Sequence, residues 1–305
     1  MGIAETGKWL KLFGLYRQAS RLPLPAAYAV ASAIGNCDYT RQPELRKAIG
    51  MSLARGLPGR LSEPGLQEHW VRQYFLMMSR EIMDAFVMNR VNQSNSRQLV
   101  DLDPASLALF RECKREGRGT ILVMNHFGRL NLLLLALSMA GHKLGMLTIA
   151  IDERNPDLSK VDRKYLGQKV GALQTHTRGR WITLGDNLRG LYEGLKCGET
   201  IVILVDAYQP GRGESKLRIP FLGGQLEISQ GIARLAEKTG ANLVYGSVYD
   251  TGWQAHARIR PLPDDANAAL MQTVAYLEQD VLDMPWLWWH WNILDYIWRA
   301  PTNHE

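Results

Sequence analysis

Residues 119–131 read Gly-Thr-Ile-Leu-Val-Met-Asn-His-Phe-Gly-Arg-Leu-Asn. The first part is a short apolar run typical of a buried strand, and a helical pattern follows over residues 128–140. In α/β sheets, ligands and catalytic groups gather at the carboxyl ends of the strands, which is where His126 falls. Because the pKa of a free imidazole is close to neutrality, His126 is a candidate general base. A purely structural histidine is the alternative.

Strand and helix patterns alternate after this segment. We expect strands at residues 144–151, 172–176, 200–206 and 242–249, and helices at residues 158–170, 186–197 and 229–238. Asp103 followed by Pro104 marks the start of an earlier helix. The alternation predicts an α/β fold with a mainly parallel central sheet flanked by helices. Residues 101–305 are the predicted α/β core.

Residues 1–100 are predicted to be an N-terminal helical region that docks on a membrane. Residues 7–22 have the pattern of a basic amphipathic helix with an apolar stripe. Two interpretations are open: docking on a membrane surface, or packing of a terminal helix on the core. The apolar stretch 22–37 is too short to span a bilayer, so we expect no transmembrane helix. The stripe consists of Trp9, Leu12, Phe13 and Tyr16, with Lys8, Lys11, Arg17 and Arg21 around it.

The net charge of +6 favours anionic partners such as nucleic acid, phosphate-bearing substrates or acidic lipid. No known nucleic-acid-binding module is recognised, so we expect no nucleic-acid partner. Cys37, Cys113 and Cys197 are far apart in the sequence and predict neither a disulfide framework nor a metal site. The G-x-S-x-G motif typical of serine hydrolases does not occur, which disfavours that class.

The C-terminal region is rich in tryptophan. Such clustering is typical of a membrane interface or a ligand groove, and a packed aromatic corner is the alternative. The residues concerned are Trp286, Trp288, Trp289, Trp291 and Trp298.

Residues 126–131 resemble the H-x4-D/E block of the lysophospholipid acyltransferase superfamily. The closest resemblance is to the lipid A late acyltransferases, the lauroyl and myristoyl transferases of Gram-negative bacteria. Further similar segments follow in the same order: Val205-Asp206, Pro220-Phe221-Leu222-Gly223, residues 229–241, and residues 285–290. The similarity extends over roughly residues 10–298.

The resemblance implies an enzyme that moves a fatty acyl chain from a thioester to a lipid or glycolipid acceptor, such as a lipid A precursor. The donor would be acyl carrier protein or acyl-coenzyme A, with no other cofactor and no metal. The expected location is the cytoplasmic face of a bacterial inner membrane, held peripherally.

The family's acid is replaced by Asn131 in this sequence. We expect His126 to be the general base and Asn131 its orienting partner, although an amide cannot stabilise the imidazolium by charge. Three outcomes are open. Another carboxylate can substitute, with Asp206 the first candidate; the acceptor can be a stronger nucleophile such as an amine; or the protein is a weak or inactive relative.

Several residues are candidates for binding the substrates. Arg129 lies inside the histidine block and is the expected anion contact. The turn from Phe221 to Gly224, which includes Gly223, has backbone N–H groups suited to a phosphate or an oxyanion, and a simple turn is the alternative. Further basic candidates for a phosphate are Arg178, Arg180, Arg212, Lys216 and Arg218.

Two departures concern the acceptor. Gly185 stands where the family often has arginine, and His290 is followed by Trp-Asn-Ile-Leu-Asp where the family has basic residues. Fewer cations at these positions disfavour a diphosphorylated lipid A acceptor. The alternatives are an acyltransferase of specialised-metabolite or amino-lipid synthesis, and a non-catalytic protein that binds lipid or acyl carrier protein.

Overall fold

The computed structural model describes residues 2–115, 117–207 and 216–301. Residues before 100 are mostly helical, as the sequence predicts. A π-helical turn, Leu10–Tyr16, joins the first two helices. The helices of this region are α1 (Ile3–Trp9), α2 (Arg17–Ala19), α3 (Leu24–Arg41), α4 (Pro43–Gly56), α5 (Leu66–Val87) and α6 (Ser96–Leu99).

The described residues form a seven-stranded main sheet in the order β1-β9-β8-β2-β5-β3-β4. Its strand pairs are parallel except for β8 and β9. This arrangement confirms the predicted α/β class. The strands are β1 (Val100–Leu102), β2 (Thr120–Met124), β3 (Leu144–Thr148), β4 (Arg178–Thr183), β5 (Thr200–Leu204), β8 (Asn242–Asp250) and β9 (Ala255–Pro261).

Helices cover the main sheet, so β2 at its centre is buried along its whole length. The predicted helix start at Asp103 is confirmed, because its carboxylate accepts a hydrogen bond from the backbone N–H of Ser106 at 2.9 Å. The helices after residue 100 are α7 (Pro104–Arg115), α8 (Asn131–Met139), α9 (Lys160–Thr177), α10 (Arg189–Lys196), α11 (Gly231–Thr239), α12 (Ala266–Asp283) and α13 (Leu294–Ile297).

A second, antiparallel sheet has the strand order β10-β7-β6. It consists of β6 (Lys216–Phe221), β7 (Gly224–Ser229) and β10 (Trp298–Arg299). The sequence interpretation did not foresee this sheet or strand β9. The second sheet is antiparallel, and β9 pairs antiparallel with β8. An alternation of strands and helices does not indicate such hairpin pairs.

The strand predicted at residues 172–176 is wrong. Helix α9 continues to Thr177, and Arg178 then takes a left-handed conformation with φ 52°. A residue of this kind ends a helix, and here the next strand, β4, begins at once. The apolar pattern of 172–176 therefore belongs to the buried face of a helix.

The apolar stripe of the first helical segment faces the protein interior. Leu12, Phe13 and Tyr16 are buried, and the rings of Phe13 and Phe86 on α5 lie 6.2 Å apart. Of the two interpretations of this stripe, packing on the core is the one that the structure shows.

Buried apolar residues from both sides of residue 100 share the same clusters. Ile49 of α4 and Tyr74 of α5, for example, belong to one cluster with Ile121 of β2 and Trp288. The division of the chain at residue 100 remains a prediction. Across the described ranges, no helix has the length and hydropathy that crossing a membrane requires.

Candidate active site

The register of two parallel strands brings His126 and Asp206 together. Met124 of β2 lies opposite Leu204 of β5, and each candidate residue follows two positions later. The Nδ1 atom of His126 is 2.9 Å from the Oδ1 atom of Asp206. Two side chains that are 80 residues apart in sequence thus meet at the carboxyl edge of the main sheet.

Asp206 is buried and held from several directions. Its carboxylate oxygens accept the backbone N–H of His126 at 3.0 and 3.1 Å, and one of them accepts the indole N–H of Trp288 at 3.1 Å. Burial raises the pKa of Asp206, but its interactions with His290 and His126 and the bond from Trp288 outweigh burial and leave the pKa at about 2. Asp206 is therefore ionised at neutral pH. It can accept the Nδ1–H of His126, which makes Nε2 the basic atom of the ring.

The tryptophan-rich segment fixes the loop that carries His126. The backbone N–H of Trp289 donates to the carbonyl of His126 at 2.9 Å, and its indole N–H donates to the carbonyl of Gly128 at 2.8 Å. The N–H of Gly128 in turn donates to the carbonyl of Leu287 at 2.7 Å. Gly128 has φ 58°, and a Cβ atom there would lie 1.9 Å from the carbonyl oxygen of Val248, so only glycine fits.

His290 packs beside the catalytic candidate. Its ring centroid lies 4.4 Å from that of His126, and its Nε2–H donates to the backbone carbonyl of Asp206 at 3.0 Å. Burial lowers the pKa of His290 to about 4, against an opposing effect of the Asp206 charge. His290 is therefore neutral at pH 7 and positions the Asp206 loop without adding charge.

A cavity of about 430 Å³ reaches His126, whose side chain is 22 % exposed. Such a cavity is suited to an apolar chain because most of its lining is aliphatic. The charged residues Lys216, Glu227 and Arg234 also line it. The aliphatic lining includes Met146, Leu147, Ile149, Leu188, Leu191, Ile203, Val205, Ile228, Ile232, Leu235 and Ile297.

His126, Asp206 and His290 also have the side-chain types of a metal site, with ligand atoms within 4.8 Å of one another. However, these ligand atoms are engaged in hydrogen bonds with one another and with the backbone. The Nε2 atom of His290 carries a proton to the Asp206 carbonyl, and Nδ1 of His126 faces the carboxylate. The arrangement is that of an imidazole held by a carboxylate.

The expectation for Arg129 needs correction. Its side chain is 0 % exposed, so it cannot contact a substrate anion. Its guanidinium pairs with Asp84 at 2.5 Å and with Asp250 at 3.3 Å, and its Cζ atom lies 4.4 Å from the ring centroid of Tyr28. Two buried carboxylates already neutralise this cation, which explains why it can be buried at all.

The expectation for Asn131 is corrected as well. Asn131 begins α8 and is buried, and its amide donates to the carboxylate of Glu81 at 3.2 Å. Glu81 also forms an ion pair with Lys169 of α9. The carboxylate that meets the imidazole of His126 comes from Asp206, the first of the substitutes that the sequence offered.

The turn after Phe221 does not offer a free oxyanion site at its first amide. The backbone N–H of Leu222 donates to the carboxylate of Glu278 at 2.5 Å. Phe221 is buried with its ring 5.2 Å from that of Trp288, and Gly223 has φ 71° as the turn requires. Neither Phe221 nor Gly223 lines the cavity at His126. The alternative of a simple turn agrees with this geometry.

Arg178 lies on the wrong edge of the sheet for the expected role. It begins β4 opposite Leu144, the first residue of β3, whereas His126 follows the end of a parallel strand. Arg180 is paired with Glu199. Arg212 falls outside the described residues.

Sequence reasoning missed the indole of Trp288 as a partner of Asp206. The cluster of tryptophans was the available signal, and the packed corner is the alternative that the structure shows for its buried members. Trp288 and Trp291 are 0 % exposed, and Trp298 is buried as well. No local pattern distinguishes a tryptophan that packs in a core from one that donates to a buried carboxylate.

The fold and the site define an α/β protein whose histidine–carboxylate pair opens on an apolar cavity. The sequence model of the bacterial lipid A biosynthesis acyltransferases matches residues 3–293. The chain belongs to this family, and acyltransferase activity in lipid biosynthesis is the activity that the family supports. A comparison with curated protein sequences found no match.

Proposed function

We propose that this chain transfers a fatty acyl group from a thioester to a lipid or glycolipid acceptor, with His126 as general base and Asp206 as its partner. The observation that carries the proposal is the 2.9 Å contact between the two side chains at the apolar cavity. The charged Asp206 supplies what an amide at position 131 cannot, namely stabilisation of the imidazolium. This argument favours an enzyme over a non-catalytic lipid-binding protein.

The reaction runs in two proton-transfer steps. Nε2 of His126 takes the proton of the acceptor hydroxyl or amine while the acceptor atom bonds to the thioester carbonyl carbon. The resulting tetrahedral intermediate collapses, the carbon–sulfur bond breaks, and the imidazolium returns the proton to the leaving sulfur. Asp206 holds Nδ1–H throughout and stays ionised. The acyl chain lies along the aliphatic lining of the cavity.

The donor proposed is acyl carrier protein or acyl-coenzyme A, which share a phosphate on the arm that carries the thiol. Lys216, Arg218 and Arg299 converge on Glu227 at 3.3, 3.1 and 3.2 Å. One carboxylate among three cations leaves a surplus of positive charge, and two members of this cluster, Lys216 and Glu227, line the cavity. Such a group is suited to a phosphate. Replacement of Arg218 by glutamine should therefore raise the KM for the donor.

Two classes of acceptor are candidates. A lipid A precursor is the first candidate because of the family. A second candidate is an acceptor without phosphates, such as an amino-lipid or a specialised metabolite, because Trp291-Asn292-Ile293-Leu294 follows His290 in place of basic residues. Peripheral association with the cytoplasmic face of the inner membrane is proposed for either acceptor.

The test incubates the purified chain with a radiolabelled acyl thioester and a panel of glycolipid, phospholipid and amine acceptors. Transfer to one acceptor class should be lost by about 100- to 10,000-fold in His126→Ala, because the base is removed. His256→Ala is the matched control, since His256 is exposed and does not line the cavity. Transfer that survives in folded His126→Ala would refute the proposed base, and binding without turnover would favour the lipid-binding protein.

A further inference from the structure

A second cavity of about 310 Å³ lies between the first helices and α9. It shares no lining residue with the cavity at His126. Its apolar wall is formed by Phe13 and Phe86, and three uncharged polar side chains complete the lining. The remaining lining residues are three cations: Arg17, Arg21 and Lys164.

The charge of this cavity is not balanced by carboxylates. No aspartate or glutamate lines it. In the part of the chain that the structure describes, Arg17, Arg21 and Lys164 have no carboxylate within ion-pair distance. Lys164 is directed over the Phe13 ring, 4.8 Å from its centroid, and Arg21 donates to Gln18 at 2.9 Å. Three cations from two separate segments therefore share one concave surface.

Other lysines of the same segment differ from these three. Lys8 pairs with Asp162 at 2.5 Å, and Lys11 pairs with Asp38 at 3.0 Å. The four cations that the sequence placed around this helix thus fall into two kinds. Those of the cavity remain available to an external anion, and the paired lysines hold the segment on the protein.

Exposed leucines flank the cationic cavity along the chain. Leu15 is 59 % exposed and precedes Arg17 by two residues, and Leu22 is 41 % exposed and follows Arg21. Leu10 is 55 % exposed on the same segment. Cations next to exposed aliphatic side chains are typical of a surface that lies at the headgroup boundary of a bilayer.

We infer that this cavity binds the phosphate headgroup of an anionic phospholipid while Leu10, Leu15 and Leu22 enter the same bilayer. Guanidinium groups recognise phosphate oxygens with paired hydrogen bonds, and each cation near an anionic surface strengthens binding about fivefold. The inference rests on the proposed membrane association and is independent of acyl transfer.

The experiment measures partition of the full-length chain onto vesicles of phosphatidylcholine with and without phosphatidylglycerol. Phosphatidylglycerol should strengthen binding of the parent chain. The double variant Arg17→Gln, Arg21→Gln and the single variant Lys164→Gln should lose most of that gain, by about fivefold per charge. Lys47→Gln is the control, because it removes one exposed charge from α4 and should stay within about twofold.

Three results would overturn the inference. The first is no partition onto anionic vesicles, and the second is an equal loss of vesicle binding per charge in Lys47→Gln. The third is saturable binding of inorganic phosphate by a chain that does not bind vesicles, which would indicate a site for free phosphate. His126→Ala should partition like the parent chain. A chain that binds vesicles through these cations but transfers no acyl group would therefore refute the proposed activity alone, and the reverse result would refute the headgroup site alone.

Discussion

Two groups of buried charges are built on the same loop, three residues apart. At His126, one carboxylate serves two imidazoles, and the His126 ring is partly exposed to a cavity. At Arg129, the guanidinium has two carboxylate partners, Asp84 and Asp250, and no exposed surface. A second arginine, Arg80, also pairs with Asp250. The first group is open to a ligand, and the second is closed.

The difference separates two uses of buried charge. The closed Arg129 network joins α3 and α5 to the loop after β2 and to the end of β8, because Tyr28 also donates to Asp84. The network contains two arginines, Arg80 and Arg129, and two aspartates, Asp84 and Asp250, so its formal charges cancel. Pairing of this kind is what allows charges to be buried in a structural network. The open pair leaves one ring nitrogen facing the cavity. Neighbouring positions in the sequence can therefore differ completely in what they do.

The largest effect should come from Asp206→Asn. The change keeps the size of the side chain but removes the charge that stabilises the imidazolium, so the acyl-transfer rate should fall by about 1,000- to 10,000-fold. Steady-state kinetics with circular dichroism as a check on folding measure it. Asp250→Asn is the contrasting variant, since it should lower stability and leave the rate constant of the folded fraction nearly unchanged. Equal rate losses in both variants would erase the distinction between the two groups.

Breaking the closed network should cost stability. Arg129→Met leaves Asp84 and Asp250 buried with less compensation, which should lower the free energy of unfolding by about 3–5 kcal/mol. Urea denaturation monitored by tryptophan fluorescence measures the loss. The corresponding change at the open pair, His126→Ala, should lower it by about 1 kcal/mol, because its ring is partly exposed. A stable Arg129→Met protein would show that the network is not a structural requirement.

His290, which belongs to the open group around Asp206, should make the stability of the fold depend on pH. The pKa of His290 is about 4 in the folded chain and near 6.5 when unfolded, so the unfolded chain binds more protons between these values. The contribution of His290 to the free energy of unfolding is fully present above pH 6.5. It falls by roughly 3 kcal/mol as the pH decreases towards 4. Denaturation at pH 7 and pH 4.5 measures it. His290→Gln should flatten the slope and exposed His256→Gln should not; an unchanged slope in His290→Gln would contradict the assignment.

The smallest effect is expected at Asn131. Asn131→Glu restores the acid of the family but places it beside buried Glu81, whose charge is already paired with Lys169. We expect a stability loss of about 1–3 kcal/mol and no gain in rate. Asn131→Gln is the uncharged control for side-chain length. A faster Asn131→Glu enzyme would show that position 131 reaches the imidazole after all.

Most of the fold could be predicted because its central strands are apolar and its helices are amphipathic. The strand at residues 119–125 and the helix start at Asp103 follow from local patterns that the structure confirms. The strand expected at residues 172–176 failed because an apolar run of that length also fits the buried face of a helix. The pairing of β6 with β7 has alternating apolar residues as its signal, at Leu217, Ile219 and Phe221.

The candidate site was predictable only in part. His126 and Asp206 could be named because both follow apolar strands, and strand register then decides that they meet. Burial of Arg129 and the contact of Asn131 with Glu81 depend on how α5 packs on the core, which no local pattern records. Arg129 was interpreted as functional because it lies near His126 in the sequence. Its partner Asp84, however, lies in α5, 45 residues away.

The indole of Trp288 and the backbone of residues 287–289 fix the loop of His126 and the carboxylate of Asp206. During synthesis on the ribosome, these two residues emerge long before the segment that holds them in place. A nascent chain therefore contains His126 and Asp206 before the residues that position them have been made. A premature stop shortly before residue 285 would release a protein that retains the imidazole and the carboxylate but lacks the hydrogen bonds from residues 287–289 that hold them.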